Sequence, residues 1–148
     1  MNENWKFSDI PYHRPDVEAL QARYDALTLA LAFEQREDMW SRIDRRVDEM
    51  VRRGLLQEVQ ALLDGGLPRD ATALQAIGYK QFLAVAEGRA TTAEAIEEVK
   101  LRSRQYAKRQ LTWLRRNPAI HWIYWDKEPD FPAALQNATD FLTAHGLG

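Results

Sequence analysis

The sequence predicts a mainly α-helical fold with two short β-strands. Apolar residues recur at three- and four-residue steps through most of the chain, and glycine, proline and capping residues divide these stretches into helices. Two segments show strand patterns instead. The 148 residues fit one domain, which could bury roughly 70% of its unfolded surface. We expect residues 1–23 to form a loosely ordered or helical leader and residues 24–148 to form the domain.

The first strand is predicted at Tyr24–Phe33, where leucine and phenylalanine alternate with small or polar residues. A helix remains the alternative for this segment, because alanine and leucine are strong helix formers. Glu34–Arg53 follows as an amphipathic helix, and Gly54 lies where a helix C-cap belongs. Leu55–Leu63 is predicted to be a second, shorter helix.

A third helix is predicted at Ala71–Glu87, and its pattern contains Gly78. Glycine inside a helix costs about 1 kcal/mol relative to alanine. Gly78 therefore indicates either an irregular helix start or the close approach of another backbone. The side chains expected to be buried in this helix are Ile77, Phe82, Leu83 and Val85.

The longest predicted helix is Thr92–Arg116. Thr91 and Glu94 have the spacing of a capping box at its start, and Asn117-Pro118 is a stop signal at its end. At about 100° per residue, one side of this helix is predicted to face the core. The residues on that side are Ile96, Val99, Ser103, Tyr106, Gln110, Trp113 and Leu114.

Two elements complete the predicted fold. His121–Trp125, with the sequence HWIYW, is rich in aromatic and β-branched residues and is predicted to be the second strand. Pro132–His145 is predicted to be a final helix, because proline suits a first helical position and Gly146 suits a helix end.

Positive charge is concentrated in one segment. Lys100–Arg116 carries seven basic side chains and no acidic one, whereas the rest of the chain holds 13 basic and 22 acidic side chains. This asymmetry indicates RNA or DNA as a partner, because cations neutralise phosphates and the rings of Tyr106 and Trp113 can stack on bases. A solvated surface helix is the alternative, although such helices normally mix Glu with Lys. Two stripes carry the charge: Arg104, Lys108 and Arg115, and Arg102, Arg109 and Arg116.

Composition argues against several functional classes. Without cysteine the chain has neither a disulfide framework nor a thiolate metal site, and its three histidines lack the spacing of helical metal ligands. No apolar run approaches the roughly 18 residues of a membrane span, and the N-terminal residues have no signal-peptide core. We therefore expect a globular cytoplasmic protein that does not act at a membrane.

Three segments carry a family resemblance. In chain order they are RIDRRVDEMVRRGLLQEVQALL (Arg42–Leu63), QAIGYKQF (Gln75–Phe82) and RQYAKRQLTWLRR (Arg104–Arg116), and the last is followed by His121-Trp122. The sequence from about Tyr24 to Trp125 thereby resembles the tRNA dimethylallyltransferases, also called tRNA isopentenyltransferases. The combination of QAIGYK with AKRQLTW is highly specific for that family.

The resemblance implies an enzyme that transfers the dimethylallyl group of dimethylallyl diphosphate to the amine of the adenosine 3′ of the tRNA anticodon. The family core is a P-loop-kinase-like α/β fold, with a glycine-rich loop for the diphosphate and an acidic residue as proposed general base. Neither feature occurs in this sequence, so the chain is similar to the C-terminal portion of such an enzyme and is predicted to be inactive alone. Mg²⁺ is expected in the full-length enzyme, with ligands outside this chain, and no organic cofactor is expected.

The resemblance also assigns a diphosphate contact. Arg46 matches a family arginine that reaches the diphosphate, and Arg42 lies one turn earlier. A fixed guanidinium suits a leaving group that gains charge during alkyl transfer. Surface ion pairing is the alternative for both arginines, and the candidate partners are Asp38, Asp44 and Asp48.

Two segments match tRNA-contacting segments of the family. The implied tRNA-binding residues are Gln75, Gly78, Lys80, Arg104, Lys108, Arg109, Gln110, Thr112 and Arg115. Gly78 would let the backbone approach the nucleic acid, and Lys80 would supply charge. Leu111, Trp113 and Leu114 are expected to pack in the core rather than to contact RNA.

Two functions remain open. The chain is either part of a transferase, contributing surface for the tRNA anticodon stem-loop and the diphosphate arginine, or a standalone RNA-binding module without catalytic activity. A truncated gene product or expression fragment is a third expectation. In the family, both strands would join a larger parallel sheet. Here they are expected to pair with each other, to stay unpaired, or to pair across a dimer, which makes self-association an expectation.

Overall fold

The computed structural model describes residues 26–146. The mainly α-helical fold with two strands is confirmed over this range. Its elements, in chain order, are β1 (Thr28–Phe33), α1 (Arg36–Arg52), α2 (Leu55–Asp64), a 3₁₀ turn (Thr72–Gln75), α3 (Tyr79–Ala86), α4 (Thr92–Leu114), β2 (Ile120–Trp125) and α5 (Phe131–Ala144). The leader predicted at residues 1–23 lies outside the described range. No helix within that range is long and apolar enough to cross a membrane.

The two strands pair with each other in parallel, in a register that joins Thr28 to Ile120 and Phe33 to Trp125. The strand prediction is therefore right for residues 28–33, and the helical alternative is wrong there. The amide of Glu34 continues the ladder by donating to the Trp125 carbonyl at 2.8 Å. Both strands thus end at one edge of the sheet, and α1 begins directly beyond it.

The core lies among α1, α2, α3 and α4, away from the sheet. Val59, Leu74 and Phe82 are its fully buried large side chains. Each such side chain contributes about 1.5–3 kcal/mol by leaving water. The other core members are Val47, Leu55, Leu83, Ala95 and Val99. This cluster fixes α1 and α4 side by side.

The helix predicted at Ala71–Glu87 is interrupted. The chain forms a 3₁₀ turn at Thr72–Gln75, and α3 starts only at Tyr79. Gly78 precedes α3 with φ +102°, a left-handed conformation that L side chains rarely adopt. Its amide donates to Gln81 Oε1 at 2.9 Å. The glycine thus marks an irregular helix start, one of its two predicted meanings. The predicted burial of Ile77 is wrong, since this side chain is exposed.

The start of α4 follows the predicted capping box. Thr91 Oγ1 accepts a bond from the Glu94 amide at 3.2 Å, and Glu94 Oε2 accepts one from the Thr91 amide at 2.8 Å. Both bonds satisfy donors that helix geometry leaves without partners. Hydrogen bonds from Thr91 lower the pKa of the Glu94 carboxyl, because they favour its charged form.

The predicted inward side of α4 is right at four positions, which are buried or partly buried, and wrong at three, which are exposed. The first group is Ile96, Val99, Ser103 and Leu114, and the second is Tyr106, Gln110 and Trp113. Ala95 and Val99 are buried, but Tyr106 and Trp113 are 51% and 68% exposed. The partly buried residues further along are Ser103, Arg104, Ala107, Leu111 and Leu114. The prediction that Trp113 packs in the core is therefore wrong. Ala107 and Leu111 are compact or wholly apolar, so they suit the inner side better than rings that carry a polar atom.

Candidate functional site

Two ion pairs hold α4 against α1. Arg104 Nη1 donates to both carboxylate oxygens of Asp44, at 2.8 and 2.7 Å. Lys100 Nζ lies 2.7 Å from Asp48 Oδ1, and its side chain is only 14% exposed. The hydrogen bond to Asp48 raises the pKa of Lys100, which is therefore fully charged at neutral pH. The two pairs join residues one turn apart on each helix and fix an antiparallel arrangement.

Arg104 is thereby placed differently from the sequence prediction. It was expected on a solvent-facing stripe with Lys108 and Arg115, but its guanidinium is partly buried against α1. The reason is the carboxylate of Asp44, which lies sixty positions earlier in the chain and offers a bidentate partner. The tRNA contact assigned to Arg104 stays a prediction, and such a contact would have to compete with this pair.

The outer face of α4 presents a shallow cleft of about 570 Å³. We call this surface the outer α4 face; its residues are Gln105, Lys108, Arg109, Thr112, Trp113 and Arg116. Among residues 26–146, none of its three cations has an acidic partner within 4.0 Å. Arg109 instead lies over the ring of Tyr106, 5.9 Å from its centroid. Exposed cations beside exposed aromatic rings are the combination that binds single-stranded nucleic acid.

A second cleft, of about 430 Å³, lies between α1 and α4. We call it the α1–α4 cleft. Its walls are mostly apolar, from Ile43, Met50, Ile77 and Val99, and its polar lining includes Arg46, Ser103, Tyr106 and Gln110. It therefore contains one predicted diphosphate residue and one predicted tRNA residue. An apolar cleft with a few polar groups is the usual form of a small-molecule site.

The two candidate diphosphate arginines differ in their partners. Arg46 has no acidic side chain within 4.0 Å in the described part of the chain. Two of the three partners considered for it are engaged elsewhere, since Asp44 binds Arg104 and Asp48 binds Lys100, and the third, Asp38, is not within 4.0 Å of Arg46. Arg42 instead lies 3.6 Å from Glu128. Arg46 is thus the more available cation, and its proposed contact with a diphosphate stays a prediction.

The QAIGYK segment divides its side chains between core and solvent. Gln75 and Lys80 are exposed, and Gly78 is buried. A Cβ on Gly78 would point to Leu55 and Met50, both at 3.8 Å, which are neighbours in the core. These are ordinary contacts, so the positive φ of Gly78 rather than lack of space favours glycine here. The predicted tRNA contacts of all three residues remain predictions.

Tyr79 anchors the same segment. Its hydroxyl donates to Glu58 Oε1 at 2.6 Å, and this bond raises the pKa of Tyr79 because it favours the protonated phenol. The ring packs against the helical core. Tyr79 therefore fixes the start of α3 against α2.

Metal ligands are not grouped in this part of the protein. Within residues 26–146, no set of three His, Cys, Asp or Glu side chains could hold a metal ion.

Sequence and structure comparisons point to one family. The model of the IPP transferase family matches residues 3–117. A tRNA dimethylallyltransferase of Thermoanaerobacter sp. (strain X514) is 34% identical over 143 residues, which are 95% of this chain and 45% of that protein. The tRNA dimethylallyltransferase of Geobacillus kaustophilus (strain HTA426) is 43% identical over 119 residues, covering 80% and 37% of the two chains.

A solved structure agrees. The full-length tRNA isopentenylpyrophosphate transferase of Bacillus halodurans superposes with a TM-score of 0.74 at 36% identity, over 87% of this chain and 44% of that one. The chain therefore spans less than half the length of these relatives.

Proposed function

The chain belongs to the IPP transferase family, and from this premise we propose that it is one part of a tRNA dimethylallyltransferase. The complete enzyme would move the dimethylallyl group of dimethylallyl diphosphate to the amine of the adenosine 3′ of the anticodon. This part would supply surface for the anticodon stem-loop and Arg46 for the diphosphate.

One observation carries the proposal most directly. The outer α4 face, with its exposed cations and Trp113, adjoins the α1–α4 cleft, because Arg109 of the face lies over the ring of Tyr106 of the cleft. The lining of that cleft includes Arg46 and Gln110. The two surfaces share α4, since Gln110 of the cleft and Arg109 of the outer face are neighbours in the chain. An RNA bound along the outer face would thus lie close to a cleft suited to an apolar group and an anion.

The chemistry explains what else the site requires. The bond between the isoprenoid carbon and the diphosphate oxygen breaks while a bond from the adenosine nitrogen to that carbon forms, and the nitrogen loses a proton. The diphosphate gains charge as it leaves, and a nearby guanidinium stabilises that charge. Orientation of the reactants can be worth about 7–11 kcal/mol of the barrier. Arg46 and one wall of a cleft supply only part of these contributions.

We therefore propose that the isolated chain binds RNA but transfers no isoprenoid. The assay follows radiolabel from dimethylallyl diphosphate into tRNA, first with the chain alone and then with a P-loop-bearing N-terminal half added. Label should appear only in the mixture. Turnover by the chain alone would show that it contains a diphosphate site we have not recognised.

The alternative is a standalone RNA-binding module. The outer α4 face favours this alternative because all the residues of that face lie within this chain. The same experiment separates the two functions. RNA binding without transfer, even when the N-terminal half is present and folded, would favour the module. Failure to bind an anticodon stem-loop at all would reject both.

A further inference from the structure

A small cleft of about 200 Å³ lies where the sheet edge, the start of α1 and the C-terminal half of α4 meet. We call it the β1–α1 cleft. Three cationic side chains line it: Arg36 from α1, Lys108 from α4, and Arg115, the residue that directly follows α4. One acidic side chain, Glu34, also lines it, so the lining has an excess of positive charge. None of the sequence patterns singled out Arg36 or this junction.

None of the three cations forms a strong ion pair with an acidic side chain in the described part of the chain. Arg36 contacts Glu37 only at 3.6 Å, with both side chains largely exposed, and such pairs are worth little. Lys108 and Arg115 have no acidic partner within 4.0 Å among residues 26–146. In this respect they differ from Lys100 and Arg104 on the same helix.

Tryptophan rings contact two of these cations, and one of the rings, Trp40, lines the cleft itself. The guanidinium of Arg36 lies over the ring of Trp40, 4.5 Å from its centroid, and Arg115 lies over Trp122 at 5.9 Å. A contact with the face of a ring restricts an arginine without using its donors, so its N–H groups stay available for an anion.

The start of α1 adds donors. Gln35 makes no side-chain cap, so the first amides of this long helix have no capping acceptor. A phosphate at such a helix start gains from the amides and from the helix dipole, although Glu37 and Asp38 offset part of the dipole. The location, beyond the carboxyl end of a parallel strand, is also where α/β folds commonly hold ligands.

We propose that the β1–α1 cleft binds a phosphate group, with Arg36 as a ligand beside Lys108 and Arg115. The phosphate is either a backbone phosphodiester of the RNA or a free phosphate. The first source rests on the proposed function, because it extends the RNA track from the outer α4 face around Lys108 into the cleft. The second source does not depend on RNA binding.

The RNA experiment measures the salt dependence of RNA binding for Arg36→Gln and for the control variant Arg53→Gln. The control removes the same charge from the other end of α1, where Arg53 pairs with Glu49. Loss of one phosphate contact should lower the magnitude of the salt slope by about 0.7–0.9, which is roughly a five- to eightfold loss of affinity at about 0.1 M salt. Arg53→Gln should leave both unchanged. Arg36→Lys should restore the slope, because the slope counts charges.

The free-phosphate arm uses inorganic phosphate and the indole N–H resonances of the intact chain. Phosphate should shift the Trp40 resonance, identified with Trp40→Phe, and leave that of Trp113 on the outer α4 face unchanged. The shift should disappear in Arg36→Gln. Thermal melts of each variant show whether the fold is retained.

The results distinguish the two phosphate sources from each other, and they distinguish failure of this proposal from failure of the proposed function. A slope change without a phosphate-induced shift assigns the cleft to RNA phosphates, and a shift without a slope change assigns it to free phosphate. If folded Arg36→Gln behaves like the wild type in both arms, the proposal is wrong. If the wild type binds no RNA, the proposed function fails, and the inorganic phosphate arm alone decides the cleft.

Discussion

The basic stretch of α4 contains two regions that use similar side chains differently. Lys100 and Arg104 face α1 and are paired with Asp48 and Asp44 at hydrogen-bonding distance. Lys108 and Arg109 lie on the outer α4 face, where the described residues offer them no acidic partner. A run of positive charge in sequence is therefore not one surface. Its first part stabilises the fold, and its second part is available to an anion.

The largest expected effect tests the outer region. We expect the double variant Lys108→Ala, Arg109→Ala to lower the magnitude of the RNA salt slope by about 1.4–1.8, which is roughly a 25- to 60-fold loss of affinity at about 0.1 M salt. Filter binding of an anticodon stem-loop over a range of salt measures both. The stability of the double variant should stay within about 0.5 kcal/mol of the wild type, as for other exposed substitutions. Unchanged affinity would eliminate the outer α4 face as the RNA surface.

The QAIGYK segment also contains one buried and one exposed position close together: Gly78 is buried, and Lys80, two residues later, is exposed. We expect Gly78→Ala to destabilise the protein by about 1–2 kcal/mol, because φ +102° is unfavourable for any residue with a Cβ. The added methyl meets only ordinary contacts, so overpacking contributes little. Urea unfolding measures this loss.

Lys80→Ala is the matched control for Gly78→Ala. It should leave stability nearly unchanged and, if Lys80 contacts phosphate, lower the RNA salt slope by about 0.7–0.9. If Gly78→Ala keeps full stability but weakens RNA binding, the glycine serves the nucleic acid rather than the backbone.

Breaking the ion pairs of the inner region should have a smaller effect on stability. It should not change the RNA salt slope as long as Arg104 stays paired with Asp44 when RNA binds. Arg104→Gln removes the bidentate partner of Asp44, and we expect a loss of about 1 kcal/mol, since both side chains are partly exposed and screened. Arg102→Gln, which breaks the exposed pair with Glu98 on the same helix, should cost less than half of that. A reduced salt slope in Arg104→Gln would mean that Arg104 leaves Asp44 to contact RNA.

Local signals predicted most of the fold. The alternation in β1, the aromatic residues of β2 and the capping box at Thr91 each act within a few neighbouring residues, and the structure contains all three. The boundary of α3 was mispredicted because the periodic pattern continued across Gly78, while its left-handed backbone stopped the helix. Here a single dihedral angle outweighed the apolar pattern.

Long-range packing could not be predicted in the same way. The pair of Arg104 with Asp44 depends on which side of α4 meets α1, and the helical pattern pointed to Tyr106 and Trp113 instead. Arg46 was placed from family resemblance, and the structure adds that it lines a cleft. Arg36 carried no sequence signal, because only the fold brings it to Lys108 and Arg115.

The smallest expected effect concerns pH and the second inner pair. The pKa of Lys100 is raised above its ordinary value of 10.5 by its hydrogen bond to Asp48. A pKa that is higher in the folded state than in the unfolded state stabilises the fold below the unfolded value. That contribution should be fully present at neutral pH and lost as the pH rises above about 10.5.

Asp48→Asn removes the carboxylate that raises the pKa of Lys100. We expect it to lower stability by less than about 1 kcal/mol at neutral pH, because Asp48 is half-exposed. The gap between wild type and variant should close as the pH rises through the folded-state pKa of Lys100. Urea unfolding in steps from pH 7 to about 11.5 follows the gap. Glu98→Gln, which breaks the exposed pair with Arg102, is the control, since arginine keeps its charge over this range. A gap that stays constant above pH 10.5 would show that Asp48 stabilises the fold other than through charged Lys100, and the inner region would then depend on Arg104 and Asp44 alone.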